Sequence, residues 1–184
     1  LLSFISMTAI SVAFPNITAY FNASLVLAGW VLSIYQLIAA CSMVLMGKVG
    51  DVIGRKNTFL ICSGLFILGS LASALAHNIQ LLIVARFIQS IGAGGFVPNA
   101  VGLIVEMFPR HRQQLIGVNM SINSLGGIIG PNIGGWLVTS YGWQSIFWFN
   151  VPIVLLAIIP LFFLLKSEQR KNVPIDFTGA GYFS

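Results

Sequence analysis

The stretch at positions 47–56, GKVGDVIGRK, is a short polar connection between two long apolar runs, 27–46 and 58–76. Each run is close to the roughly 20 apolar residues that a helix needs to cross the hydrocarbon core of a bilayer. The connection is rich in Lys and Arg, as is typical of connections that stay on the cytoplasmic side during membrane insertion. The stretch therefore predicts a hairpin of two membrane-spanning helices with its turn in the cytoplasm.

The same alternation of apolar runs and connections continues along the whole chain. Of the nine Lys and Arg residues, eight lie in three connections, near 48–56, 110–112 and 166–171. The connections near 22–24, 78 and 140–142 have none. The pattern predicts six spans, at about 2–20, 27–46, 58–76, 81–105, 114–138 and 144–165. Because the basic connections share one side, both ends of this six-helix unit are expected in the cytoplasm.

Composition supports a multi-pass integral membrane protein. The chain is 57% hydrophobic and 7% charged with a mean hydropathy of +0.94, whereas a soluble domain has roughly 25% charged residues. Topology accounts for the net charge of +5, so no nucleic-acid partner is expected. Cys41 and Cys62 fall within predicted spans and are interpreted as packing residues, while His77 and His111 have no partner at metal-ligand spacing. We expect no catalytic residues, no metal, no cofactor and no enzyme activity.

Residues 1–165 form the predicted six-helix unit, followed by a cytoplasmic linker at 166–178. A seventh helix is expected to begin near Gly179 and to be truncated at 184. The chain begins without Met and stops within an apolar stretch, so we expect a fragment of a longer protein. The missing partner is then a C-terminal half or a second copy of the chain.

Within the 47–56 connection, glycines permit a tight reversal where two helices come close. Asp51 and Arg55 are four residues apart and can pair on a helical turn, although an exposed pair is worth only ~0.3–0.5 kcal/mol. Glu106, at the end of the fourth span, is a second candidate partner for Arg55. An ordinary basic loop with turn glycines and a solvated Glu106 is the alternative.

The ninth cation, Arg86, lies inside the fourth apolar run, in the stretch 86–95, RFIQSIGAGG. Placing Arg within a span costs at least ~2.5 kcal/mol on insertion scales, so the side chain normally faces a wet cavity or a partner. Gln89 and Ser90 share its helical face. Because Arg effectively never deprotonates, its role is expected to be electrostatic. The alternative is a side chain that snorkels to the outer surface.

The fifth span contains the stretch 126–135, GGIIGPNIGG. Glycines recur there every four residues and form a flat stripe for a neighbouring helix. These glycines are Gly126, Gly130 and Gly134. Pro131 removes one backbone donor and clashes with the carbonyl of Gly127, so a bend is predicted. A packing seam of the kind found in any membrane bundle is also compatible.

These three stretches resemble motifs A, B and C of the major facilitator superfamily, in the spans where that family has them. The resemblance is strongest to the drug:proton antiporter branch with fourteen spans, which includes multidrug and tetracycline exporters. In motif A, Val52 replaces the usual basic residue, and in motif B, Ser90 replaces a glycine. The residues that match motif A are Gly47, Asp51, Gly54, Arg55 and Lys56, and those that match motif C are Gly126, Gly130, Pro131, Gly134 and Gly135.

The resemblance implies an all-α bundle of two inverted three-helix repeats, the N-terminal half of a transporter in a bacterial cytoplasmic membrane. It implies proton-coupled export of amphipathic, often cationic drugs by alternating access, with antibiotic resistance as a consequence. The motif A residues, together with Glu106, become a conformational latch. Arg86, with Gln89, becomes associated with proton movement, and motif C marks an antiporter.

Candidate residues for the substrate cavity are polar or aromatic side chains on spans one, two and five. They are Thr8, Ser11, Tyr35, Gln36, Asn119 and Asn123, each of which could instead make a helix–helix hydrogen bond.

One position departs from the branch. Ser6 stands where the branch often carries an Asp, and a serine cannot carry a proton in a transport cycle. The coupling carboxylate is then in the missing part, is Glu106, or is absent. Alternatives are an uncoupled or differently coupled transporter, a facilitator or importer, which would be expected to lack the bend at Pro131, and a non-transporting sensor or assembly subunit.

Overall fold

The computed structural model describes residues 2–164, without the side chains of residues 2, 4 and 160–164. The described residues form an all-α bundle of six helices and no strand, as predicted. The helices are α1 (Leu2–Phe21), α2 (Leu25–Ile53), α3 (Arg55–Ala74), α4 (Ile79–Met107), α5 (Arg112–Tyr141) and α6 (Ser145–Leu164). The predicted linker at 166–178 and the start of a seventh helix at 179–184 lie outside the described residues.

Local chemistry explains where the helices begin and end. Asn78 caps α4 by accepting a hydrogen bond from the Leu81 amide at 2.7 Å, and Ser24 caps α2 in the same way through Leu27 at 3.3 Å. Gly54 alone separates α2 from α3 and has a φ of 94°, a conformation that favours glycine. The predicted tight reversal is therefore a one-residue turn.

Several helices are long and apolar enough to cross a bilayer. Among the described residues, α2, α3 and α4 meet this criterion of length and hydropathy, while α1 and α6 contain shorter apolar segments, Ile5–Phe21 and Ser145–Ile159. Polar residues such as Asn119 and Asn123 interrupt the apolar sequence of α5. Large apolar side chains cover much of the bundle exterior, as a lipid-facing surface requires.

The packing of the helices shows the two predicted three-helix repeats. Helix α4 packs along both α2 and α3, α1 packs along α5, and α3 packs against α6. The first helix of each repeat therefore packs on the second helix of the other repeat. Because successive helices reverse direction, α1 and α4 run oppositely, so the repeats are inverted. We call the end with the α2–α3 and α4–α5 connections the basic end.

Glycines allow α4 to approach its neighbours closely. A Cβ atom at Gly92 would collide with the backbone carbonyl of Cys62 on α3, and one at Gly94 would lie 2.5 Å from the carbonyl oxygen of Ala39 on α2. Such small residues are the usual means by which membrane helices come into backbone contact. Helix α4 is thereby held centrally, and this is what places Arg86 inside the bundle.

Candidate functional site

Arg86 is completely buried, with an exposed fraction of 0%. Its Nη1 donates hydrogen bonds to Gln89 Oε1 at 2.6 Å and to Ser6 Oγ at 3.5 Å. The guanidinium carbon lies 3.9 Å from the centroid of the Tyr35 ring, close enough for a cation–π interaction. Its Nε has no hydrogen-bond acceptor among the described residues. The side chain does not snorkel to the surface, and neutral groups surround it.

The hydrogen bonds of Arg86 continue into neighbouring helices. Gln89 Nε2 donates to Ser70 Oγ at 2.6 Å, and Asn150 Nδ2 donates to Ser6 Oγ at 3.2 Å. Ser6, Ser70, Arg86, Gln89 and Asn150 therefore form one buried network, which we call the arginine cluster. It joins α1, α3, α4 and α6. Sequence reasoning missed Ser70 and Asn150 as members, although a lone Asn in the apolar run of α6 was a usable signal.

The arginine cluster contains no carboxylate among the described residues. The chain has four acidic residues, of which Asp51 and Glu106 lie at the basic end, while Glu168 and Asp176 fall outside the described part. Ser6, where the resemblance implied an aspartate, contacts the guanidinium itself. Arg86 therefore meets a neutral hydroxyl at this position, in surroundings where burial makes an unpaired charge expensive.

Two open pockets lie between the helices, and Tyr35, whose ring contacts the Arg86 guanidinium, lines one of them. The first, which we call the tyrosine pocket, has a volume of about 280 Å³ between α1, α2 and α4. Its lining includes Ser3, Met7, Tyr35, Gln36, Met43 and Val97. The second, the asparagine pocket, has a volume of about 300 Å³, and its lining includes Ser3, Phe59, Ser63, Phe96, Asn119 and Asn123.

The structure distributes the predicted cavity residues over these places. Tyr35 and Gln36 line the tyrosine pocket, and Asn119 and Asn123 line the asparagine pocket. Arg86 and Gln89 line neither of these pockets, because both are fully enclosed in the arginine cluster.

The other two candidates make bonds within their own helix. Thr8 donates to the carbonyl of Ile5 at 3.3 Å, and the exposed Ser11 donates to the carbonyl of Met7 at 3.2 Å. Neither belongs to the lining of the two pockets. Their assignment as cavity residues stays a prediction.

At the basic end, Arg55 connects the start of α3 to α2 and α4. Its Nη2 donates to Asp51 Oδ1 at 2.5 Å, its Nε to Glu106 Oε1 at 3.0 Å and its Nη1 to the carbonyl of Pro98 at 3.3 Å. The predicted contact between Arg55 and Glu106 is therefore present. The Arg55 side chain is only 22% exposed, whereas those of Asp51 and Glu106 are 61% and 43% exposed. Each exposed pair is then worth about 0.2–1 kcal/mol.

Small residues make room for this ion-pair network. A Cβ atom at Gly102 would occupy the space of the Arg55 guanidinium, and one at Gly50 would collide with the Asn99 side chain. A Cβ atom at Gly47 would lie 3.5 Å from Pro98 Cβ, an ordinary van der Waals contact, and Lys56 is half-buried at the start of α3. Sequence reasoning missed Gly102, because nothing in its own stretch indicated that an arginine from another helix would lie over it.

The glycine stripe of α5 faces α1. Gly126, Gly130 and Gly134 are buried. A Cβ atom at Gly134 would lie 2.6 Å from the Cα of Ala9, and one at Gly130 would collide with the Thr8 hydroxyl. Gly135 is less crowded, since a Cβ atom there would lie 3.8 Å from Val12 Cγ1. Helix α5 is continuous through Pro131, and the bend there stays a prediction.

Comparison with known proteins identifies the family. Residues 1–181 match the Major Facilitator Superfamily, and the chain belongs to it. It is 34% identical over 175 residues to an uncharacterized MFS-type transporter of Mycobacterium tuberculosis, covering 95% of this chain and 30% of that protein. It is 35% identical over 171 residues to the methylenomycin A resistance protein of Streptomyces coelicolor, covering 91% and 36%.

A solved structure supports the same fold. The inward-open conformation of the xylose transporter XylE from E. coli superposes with a TM-score of 0.72 at 21% sequence identity, covering 90% of this chain and 45% of that chain. The described residues thus have the fold of the N-terminal six-helix half of a Major Facilitator Superfamily transporter, and the chain is an integral membrane protein of a family whose members are transporters, not enzymes. It spans about a third of the length of the two curated relatives.

Proposed function

We propose that the complete protein is a secondary active exporter of amphipathic toxic molecules, working by alternating access and driven by a proton gradient. A relative named for resistance to an antibiotic supports export. The positive-inside rule supports a cytoplasmic location for the basic end, and so for both ends of the six-helix unit, in a bacterial cytoplasmic membrane.

The observation that carries this proposal is the fully buried Arg86 beside an open pocket. A cation held at 0% exposure in an apolar bundle is costly and is retained in membrane proteins chiefly where it serves transport. Tyr35 links the two places, since its ring contacts the guanidinium and also lines the tyrosine pocket. A change in the pocket is thereby able to reach the arginine cluster.

The proton carrier is assigned to the missing half. Asp51 and Glu106 are both bound to Arg55 at the basic end, far along α4 from Arg86. A serine at position 6 cannot take up a proton at physiological pH. Arg86 then acts on a carboxylate of the other half through its charge.

Arg55, Asp51 and Glu106, with the glycines and Lys56 around them, act as the latch between conformations. The three contacts of Arg55 hold the α2–α3 turn against α4. Weak, partly exposed pairs suit a latch, because each is able to break during the transport cycle at a small cost.

Transport by the full-length protein in proteoliposomes tests the proposal. Efflux of an amphipathic dye is expected to depend on an imposed pH gradient and to stop when a protonophore is added. Arg86→Ala and Arg86→Lys are expected to abolish the gradient-dependent part, while Arg110→Ala, at an exposed basic position, leaves it unchanged. Unaltered coupled efflux in both Arg86 variants would refute the role of Arg86.

A second candidate function is uncoupled transport, which the carboxylate-free arginine cluster favours. In that case, efflux proceeds at the same rate with and without the protonophore. The same assay therefore separates the two.

A further inference from the structure

We propose that the tyrosine pocket selects an organic anion, an amphipathic molecule with an apolar body and one carboxylate, over a cation of the same shape. The inference rests on the proposed function and names its substrate class. It departs from the expectation of a cationic drug that the family resemblance gave.

The charge distribution is the first argument. Between the basic end and the opposite end of the bundle, Arg86 is the one charged side chain among the described residues. It has no carboxylate partner there, and its Nε has no acceptor in the described part of the chain. Within the described half the positive charge is therefore not neutralised, and its field extends into the low-dielectric surroundings.

The position of the pocket relative to that charge is the second argument. The Tyr35 ring contacts the guanidinium, with 3.9 Å from its centroid to Cζ, and lines the pocket. A ligand in van der Waals contact with the ring lies about 4 Å beyond it, hence about 8 Å from the charge. At that separation and an effective dielectric constant of about 20, one unit charge changes an affinity by more than tenfold.

The lining of the pocket is the third argument. Met7, Met43 and Val97 offer a soft, adaptable surface for an apolar body. The exposed Gln36 side chain supplies amide N–H donors for a carboxylate. No acidic side chain lines the pocket, so nothing in the described half compensates a bound cation.

Substitution of Ser6 tests the role of the Arg86 charge directly. Its hydroxyl already accepts a hydrogen bond from Arg86 Nη1, so an aspartate there would neutralise the guanidinium in place. The variant Ser6→Asp is expected to remove the preference for anions. Ser6→Asn is the matched control, because asparagine has nearly the same volume as aspartate but carries no charge.

The experiment uses three fluorescent ligands built on one pyrene–butyl body that ends in a carboxylate, a carboxamide or a trimethylammonium group. Their binding to the full-length purified transporter is measured by fluorescence anisotropy, and their efflux is measured in proteoliposomes. Wild type is expected to bind the carboxylate at least about tenfold more tightly than the trimethylammonium compound, with the carboxamide between them. Ser6→Asn keeps this order, and Ser6→Asp reduces the ratio to about one or inverts it.

Each outcome decides the question. Tighter binding of the trimethylammonium compound by wild type overturns the inference and leaves the proposed exporter intact. The inference is also overturned if the Ser6→Asp protein binds the carboxamide normally and keeps the wild-type ratio of carboxylate to trimethylammonium affinity. Efflux of none of the three ligands under any gradient overturns the proposed function, and the inference with it.

Discussion

At the scale of single residues, Gln89 makes two hydrogen bonds at the centre of the arginine cluster, one of them with a buried cation. Its carbonyl accepts from Arg86 and its amide donates to Ser70. Gln89→Leu would leave a charged donor and a hydroxyl without these partners, which costs about 1–3 kcal/mol. We expect a lower thermal denaturation midpoint in detergent for this variant. Gln80→Leu, at an exposed position on the same helix, is expected to change it little, and equal midpoints for both variants would contradict the network.

The sequence was informative about single residues whose chemistry is unusual for their surroundings. A lone Arg in an apolar run singled out Arg86. An acidic residue at the end of the fourth span singled out Glu106 as a candidate partner for Arg55. Partners such as Ser70 depend on which face of another helix meets the residue, and helical periodicity does not determine this. Trp143 shows the same limit: its place near a helix end does not reveal that it is 3% exposed and packs against Phe147.

At the scale of elements, the glycines of α5 set the distance between α1 and α5. Because a Cβ atom at Gly134 would lie 2.6 Å from Ala9 Cα, which is backbone, Gly134→Ala forces the helices apart. Overpacking of this kind costs typically about 1–3 kcal/mol. Gly127→Ala on the same helix meets nothing within 4 Å and is the control. We expect a lower denaturation midpoint for the Gly134 variant alone; a matching decrease in both would contradict the packing.

The latch prediction also belongs to the elements, since Arg55 holds the α2–α3 turn on α4. Asp51→Asn weakens one of its contacts and is expected to shift the balance of inward- and outward-facing states, with only a small change in stability. Spin labels on the two halves of the full-length protein and pulsed distance measurements would report the balance. Arg112→Gln, an exposed charge at the same end, serves as control. An identical distance distribution in Asp51→Asn would refute the latch.

Element boundaries were predictable where the connection is short and polar, as near Asn78, whereas α2 runs on through most of the predicted connection at 47–56 and ends only at Ile53. The stripe on α5 was also readable as a packing surface. Its partner was not, because the fifth span could have met any neighbour. Only the inverted-repeat packing, in which α1 pairs with α5 as α4 pairs with α2, identifies α1 as the helix that fits it.

Topology is the prediction at the scale of the whole molecule. His77 precedes α4 and His111 precedes α5, so the two exposed histidines lie at opposite ends of the bundle. In a background with Cys41→Ser, His77→Cys is expected to react with a membrane-impermeant maleimide added to intact cells. His111→Cys is expected to react only after the cells are opened. Labelling of His111→Cys from outside would reverse the orientation derived from the basic connections.

The residues of the arginine cluster are synthesised in the order of their chain positions. Ser6 and Ser70 are translated before Arg86, and Asn150 comes long after it. When the fourth helix is inserted, the helix with the Ser6 hydroxyl, which accepts from the guanidinium, and the helix with the Ser70 hydroxyl, which accepts from Gln89, have already been synthesised. This timing reduces the penalty of releasing a cation into the membrane, so scrambling the order of helices by circular permutation should impair biogenesis more than it alters the finished protein.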